Sequence, residues 1–300
     1  MRSRFLAILL SFPLCAVALR AQSATVDQSA YDALLRRNVV DGLVDYDAFT
    51  RDTSFTRYLE AMNKVDPSLL SSDERLAYWI NIYNAWTIRL ITQHDERESI
   101  RNINRTLGFL ELKGPWTEPL VRAAGRTLSL DQVQYEMIRR ESSDPRIHFA
   151  LSCGAMSCAP LRSEAYTGAK LDAQLHDQGR VFLTTDSTRN RFDVKNRTFY
   201  RNIVFRHYRR DFGETRREVE AFLAQWYNDT TTMQIEKFVV MQIRRSRDTS
   251  RIAQVAPDSA SRYERISMAS LLKSGMYGVQ DLPFDWSLNS IARRSASKRP

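Results

Sequence analysis

Apolar residues recur at helical spacing along most of the chain and alternate only in short bursts. Residues 27–37 (DQSAYDALLRR) predict a helix. VVDGLV, at 39–44, sets Asp-Gly between two apolar pairs, the signal of a tight hairpin. Phe49, Phe55, Leu59 and Met62 keep helical spacing until DPSLL breaks it. A strong helix starts after Ser71, where Ser71 and Glu74 fit a capping box. Leu76, Trp79, Ile80, Tyr83, Leu90 and Ile91 form its main stripe, and Ala77, Ile82, Ala85 and Ile88 fill most of the rest. A helix apolar nearly all round is buried. Yet Asn81 and Asn84 sit inside it, three apart and on one face. A buried amide without partners costs on the order of 1–3 kcal/mol, so this pair either clamps neighbouring loops or forms the polar wall of a site.

Further along, WTEPLV and RTLSL read as short strands around Ala124-Gly125. Ser129 and Gln132 cap the helix DQVQYEMIRR. Ser-Ser-Asp-Pro breaks it, and RIHFAL then reads as a buried strand leading into a loop with Cys153 and Cys158. In an extended run His148 and Cys153 would point to opposite faces. A helix over 168–183, a hairpin RFDV-KN-RTFY, and helices in FRHYRRDF and ETRREVEAFLAQWY follow. LPFDWSLN is aromatic and predicted to dock on the core. The pattern predicts a mixed α/β (α+β) fold, helix-dominated, with a small, mostly antiparallel sheet. It divides the chain into a main domain over 24–227, an extension over 228–290 packing on it, and a disordered basic tail over 291–300.

The N-terminus changes the context. MRSR, an apolar run over residues 5–19 and then RAQSA have the layout of a Sec-type signal peptide over 1–23. The run is short for a membrane span, and no later stretch reaches ~18 apolar residues. The mature chain is therefore expected in the periplasm or outside the cell, with no transmembrane helix. The formal charge of +9 falls to +6 once Arg2, Arg4 and Arg20 leave with the signal. No nucleic-acid recognition motif accompanies that charge; its scattered arginines read mainly as solvated helix faces, with at most a weak attraction to anionic envelope polymers. There is no Walker loop, Gly-x-Gly-x-x-Gly, His-Glu-x-x-His or Gly-x-Ser-x-Gly, so neither cofactor nor metal is predicted. In an oxidising compartment Cys153 and Cys158 tend to pair, which stabilises by about 2 kcal/mol for so short a loop. The alternative is a reactive thiol with His148 as base and Asn84 or Asn81 orienting it.

DGLVDY, AYWINIYNAWTI, IHFALSCGAMSCAPL, FRHYRRDF and FDWSLN, in this order, resemble the family called domain of unknown function 547 from about residue 30 to 290. The resemblance implies an exported, largely bacterial protein and names no reaction. The positions that match its pattern are Asn81, Tyr83, Asn84, His148, Cys153, Ser157, Cys158, Asp211 and Trp286. Two depart. Gln134-Tyr135 stands where relatives commonly carry Glu-His, and His207 where they often carry Trp. A buried helix packed on a histidine-bearing strand is also similar to the papain and transglutaminase arrangement, although there the cysteine starts the buried helix. Two functional expectations follow. One is an envelope protein that binds an unknown ligand or protein through His148, Cys153, Asn84, Asn81, Tyr83, Ser157 and Asp211. The other is a thiol-dependent hydrolase or acyl/amide transferase acting on envelope material.

Overall fold

The computed structural model describes residues 24–103, 114–193, 196, 198–227, 232–236, 263–275 and 277–292. The signal segment over 1–23, much of 228–290, and residues 293–300 of the basic tail lie outside the described residues. Helix α4 (Ser72–Gln93) is the spine. The Ser71 hydroxyl accepts from the Glu74 N–H at 3.3 Å and starts it. Sixteen of its residues are buried, because apolar side chains cover nearly its whole circumference. Helices α1 (Ser29–Asn38), α2 (Tyr46–Arg51) and α3 (Thr53–Met62) pack beside it. Asp52 ends α2 and caps α3 through the Ser54 N–H.

The sheets are small. Strands β1 (Val39–Val40) and β2 (Leu43–Val44) turn at Asp41-Gly42, both at positive φ, as an Asp-Gly hairpin requires. Strands β3 (Val121–Ala123) and β4 (Arg126–Leu128) form a second hairpin. Strands β5 (Arg191–Asp193) and β6 (Thr198–Arg201) form a third, extended in parallel by β9 (Gly278–Asp281). Strands β7 (Thr232–Glu236) and β8 (Tyr263–Ser267) pair separately. Among the described residues the fold is thus helix-dominated α+β, with its strands in four small sheets rather than one.

Helix α5 covers residues 130–141, begun by the Ser129–Gln132 capping box, and its middle, Val133–Ile138, is π-helical. The next segment corrects a sequence expectation. RIHFAL is not a strand: Ile147–Ala150 is one helical turn, α6. Asp144 accepts from the Arg146 N–H at 2.9 Å, and the His148 N–H reaches the Pro145 carbonyl at 3.2 Å. Asp-Pro here starts a turn as well as ending a helix. The turn divides its side chains between two apolar clusters. Ile147, Ala150 and Leu151 join the one around α4. Phe149 joins a second, with Phe182 of α7 (Leu171–Thr184), Phe205 of α8 (Val204–His207), Phe212 of α9 (Arg209–Phe212) and Leu223 of α10 (Arg216–Leu223). His148 sits at the seam.

After α11 (Met268–Ser274) and β9, residues 282–290 run back over the core. Ser287 bridges to Ser99, Leu288 to Ala155, and Ser290 to Val44. The aromatic segment LPFDWSLN therefore docks. Among the described residues, no helix is long and apolar enough to cross a membrane.

Candidate functional site

The seam opens into a cavity of about 400 Å³, within the range typical of small-molecule sites. His148 and the Cys153–Cys158 loop form one side. Gln134 and Tyr135 of α5, Tyr83 of α4 and Asp131 form another. Trp116, Phe284 and Trp286 add apolar surface.

His148 is held from behind. Its Nε2 lies 2.7 Å from Asp211 Oδ2. Arg139 grips the same carboxylate, with Nε 2.9 Å from Oδ2 and Nη2 2.7 Å from Oδ1. The Tyr208 ring stacks on the imidazole, centroids 4.0 Å apart, and its hydroxyl accepts from Gln134 Nε2 at 2.7 Å. The His148 side chain is 1% exposed. Burial pushes its pKa below the ordinary value, outweighing the Asp211 contact that pulls it up, so the ring is neutral at pH 7. The hydrogen bond from His148, with Arg139 beside it, brings the Asp211 carboxyl down to about 2 despite partial burial. An ionised carboxylate only accepts hydrogen bonds, which assigns the imidazole proton to Nε2 and leaves Nδ1 as an acceptor.

Two more groups carry unusual electrostatics. Burial raises the pKa of Asp131, and it has no hydrogen-bond or ion-pair partner among the described residues. Burial also raises Tyr83 well above the usual phenol range, with Tyr208, Asp131 and Tyr135 adding to it. The indole N–H of Trp116 is buried without an acceptor among the described residues.

The residues singled out in the sequence separate into three groups. His148, Tyr83, Cys153, Ser157 and Cys158 come together around the cavity, and Asp211 stands behind His148. Cys153 and Cys158 form a disulfide, Cα atoms 5.7 Å apart, so both sulfurs are bonded to each other and neither is a free nucleophile. Ser157 ties loops together, its hydroxyl accepting from the Asp285 N–H at 2.8 Å. Asn81 and Asn84 do not line the cavity. Asn81 pairs with both backbone groups of Tyr166, at 2.8 and 2.9 Å. Asn84 donates to the Ala150 carbonyl at 2.9 Å and accepts from the Ser152 N–H at 2.8 Å. Their amides are spent on clamping loops, as a buried polar pair requires. Asn84 thereby fixes the backbone between His148 and Cys153.

Sequence reasoning missed Arg139, Tyr208, Asp131 and Trp116. The Arg139–Asp211 pair spans 72 residues, a separation that leaves no local signal. One signal was available: the departure at Gln134-Tyr135 falls on the cavity wall, within a π-helical stretch of the kind frequent at functional sites. His207, the other departure, also lines the cavity. Among the described residues, no three His, Cys, Asp or Glu side chains stand together as a metal-binding group.

Residues 67–183 match the family described as "Protein of unknown function, DUF547". No curated protein and no solved structure matches the chain.

Proposed function

Given that this chain is a member of the DUF547 family over residues 67–183, a family described without a function, we propose its role from the cavity itself: an exported cell-envelope protein that binds a small amphiphilic ligand beside His148. The observation that carries this reading is the relay Arg139–Asp211–His148. It fixes a neutral imidazole, with Nδ1 free to accept, at the wall of a cavity lined by aromatic rings. Such a site suits a ligand with a flat apolar face and a hydrogen-bond donor for His148. The thiol-dependent alternative needs the Cys153–Cys158 bond reduced.

A second reading rests on Asp131. A carboxyl with a raised pKa across a cavity from an oriented imidazole is an acid/base pair in kind, which would make the protein a hydrolase that does not use its cysteines. One experiment separates the readings. A thermal-shift screen of peptidoglycan stem peptides, amino sugars and phenolic amines is run on the parent and on His148→Gln, and each hit is followed for turnover. Hits that stabilise the parent, lose their effect in His148→Gln and stay intact support binding. Turnover lost in both His148→Gln and Asp131→Asn supports the hydrolase. Hits that stabilise His148→Gln as well as the parent would remove His148 from the site.

A further inference from the structure

A second cavity, of about 550 Å³, opens where α3, α4 and the β3–β4 hairpin meet. The proposed function does not use it. Its lining follows from three local periodicities. Along α3, Thr56 and Glu60 recur one turn apart, and Asn63 and Lys64 follow at the helix end. Along α4, Trp86, Arg89 and Gln93 share a face. On the hairpin, Arg122 and Thr127 are register partners, so their side chains lie on the same side of the strands. The hairpin tip is pinned, because the Gly125 N–H donates to both the carbonyl and the side-chain oxygen of Asn63, at 2.7 and 3.1 Å.

Two features of this cavity lack an internal explanation. The first is charge. Lys64, Arg89 and Arg122 face one carboxylate, Glu60. The arginines around the first cavity's relay and under α7 are matched, Arg139 by Asp211 and Arg162 by Glu164 and Asp177. These three cations have no carboxylate partner among the described residues. The second is Trp86. It is 6% exposed, and its indole N–H is buried with no acceptor among the described residues. An unmatched buried N–H is costly, and uncompensated cations in a concave site attract anions. The charge calls for an anion rich in acceptor oxygens, and the Trp86 ring, whose N–H is sealed from the cavity, is placed to report on its binding.

We propose that this cavity is a binding site for a multivalent oxyanion of the diphosphate class. Arg89 and Arg122 supply planar donor forks suited to phosphate oxygens, Lys64 adds a point charge, and the Trp86 ring forms part of the wall. The free volume leaves room for a substituent on the anion.

The test uses the full chain with 15N-labelled tryptophan, titrated with pyrophosphate, the Trp86 indole signal being assigned by Trp86→Phe. The expected result is a saturable shift of that signal with a dissociation constant on the order of 1 mM or tighter at low salt. The Arg89→Gln/Arg122→Gln double variant should weaken binding roughly tenfold or more, and Glu60→Gln should tighten it. A parallel titration with vesicles containing phosphatidic acid distinguishes the sources. A shift with pyrophosphate alone identifies a soluble phosphate ligand; the same shift with both identifies a phosphate headgroup. The proposal is overturned if pyrophosphate leaves the Trp86 signal unmoved at ~10 mM, or if the double variant binds as tightly as the parent.

Discussion

Asp211→Asn probes the support behind His148. In the folded chain the Asp211 carboxyl titrates at about 2 against an ordinary 3.8, the hydrogen bond from His148 being the largest cause and the Arg139 pair adding to it. A tenfold change in proton affinity is about 1.4 kcal/mol, so the full preference for the ionised form is about 2.5 kcal/mol. The carboxylate is 21% exposed, and solvent screening reduces the figure to about 1–2 kcal/mol. A depressed carboxyl stabilises the fold above its unfolded pKa. That stability is lost as pH falls through 3.8 toward 2, with about half remaining at pH 3. Burial also holds the His148 pKa below its ordinary value, so acid further weakens the fold by protonating the unfolded chain first. The comparison is therefore made between the parent and Asp211→Asn, with His148→Gln measured alongside to show the imidazole's own pH dependence. Urea unfolding followed by tryptophan fluorescence should show Asp211→Asn costing about 1–2 kcal/mol at pH 7 and about half that at pH 3. A difference under ~0.5 kcal/mol at pH 7, or one unchanged at pH 3, would refute the relay as a source of stability.

Asn84→Ala should destabilise by about 2–4 kcal/mol in urea, because it strands the Ala150 carbonyl and the Ser152 N–H in the core; a cost below ~1 kcal/mol would show that the clamp is dispensable. Gly154→Ala should cost about 1–3 kcal/mol in thermal unfolding, since φ is +86° there and a Cβ would lie 2.7 Å from Ile91 Cδ1; an unchanged melting temperature would contradict this. Reducing the Cys153–Cys158 bond should lower stability by about 2 kcal/mol, read as the shift of the urea midpoint with and without reductant. An intact mass that shows two free thiols in the unreduced protein would reopen thiol chemistry.

Much of the scaffold was legible because its signals are local. The Ser71 cap, the Asp41-Gly42 turn and the Ser129–Gln132 box each lie within a few residues and were matched by the structure. The error over residues 146–151 has a physical reason. Ile147, Phe149, Ala150 and Leu151, crowded into five positions, carry no clear period, so a buried strand and a buried helical turn look alike; only Asp144-Pro145 argued for the turn. The site was legible in part for a different reason. His148 and the cysteine loop are contiguous in sequence, whereas the parts that tune the imidazole come from α5, from the residue between α8 and α9, and from α9; Asp211 was singled out through the family resemblance, while Arg139 and Tyr208 read as ordinary surface polarity. The buried asparagines drew suspicion correctly, but their amides are saturated by backbone, which composition cannot reveal.

The docking of residues 282–290 has a consequence for timing. Trp286 and Phe284 complete a cavity whose other walls begin at Tyr83, and the Ser99 hydroxyl bonds to a carbonyl 187 positions later. A chain emerging from N- to C-terminus can therefore build α4, its clamps and His148 long before the cavity is closed. Until the last of these segments arrives, the imidazole faces an open cleft with no aromatic cover on that side. Any ability of this cavity to hold a ligand is thus acquired late, when residues 282–290 dock, and a chain that stops short of them would carry the machinery without it.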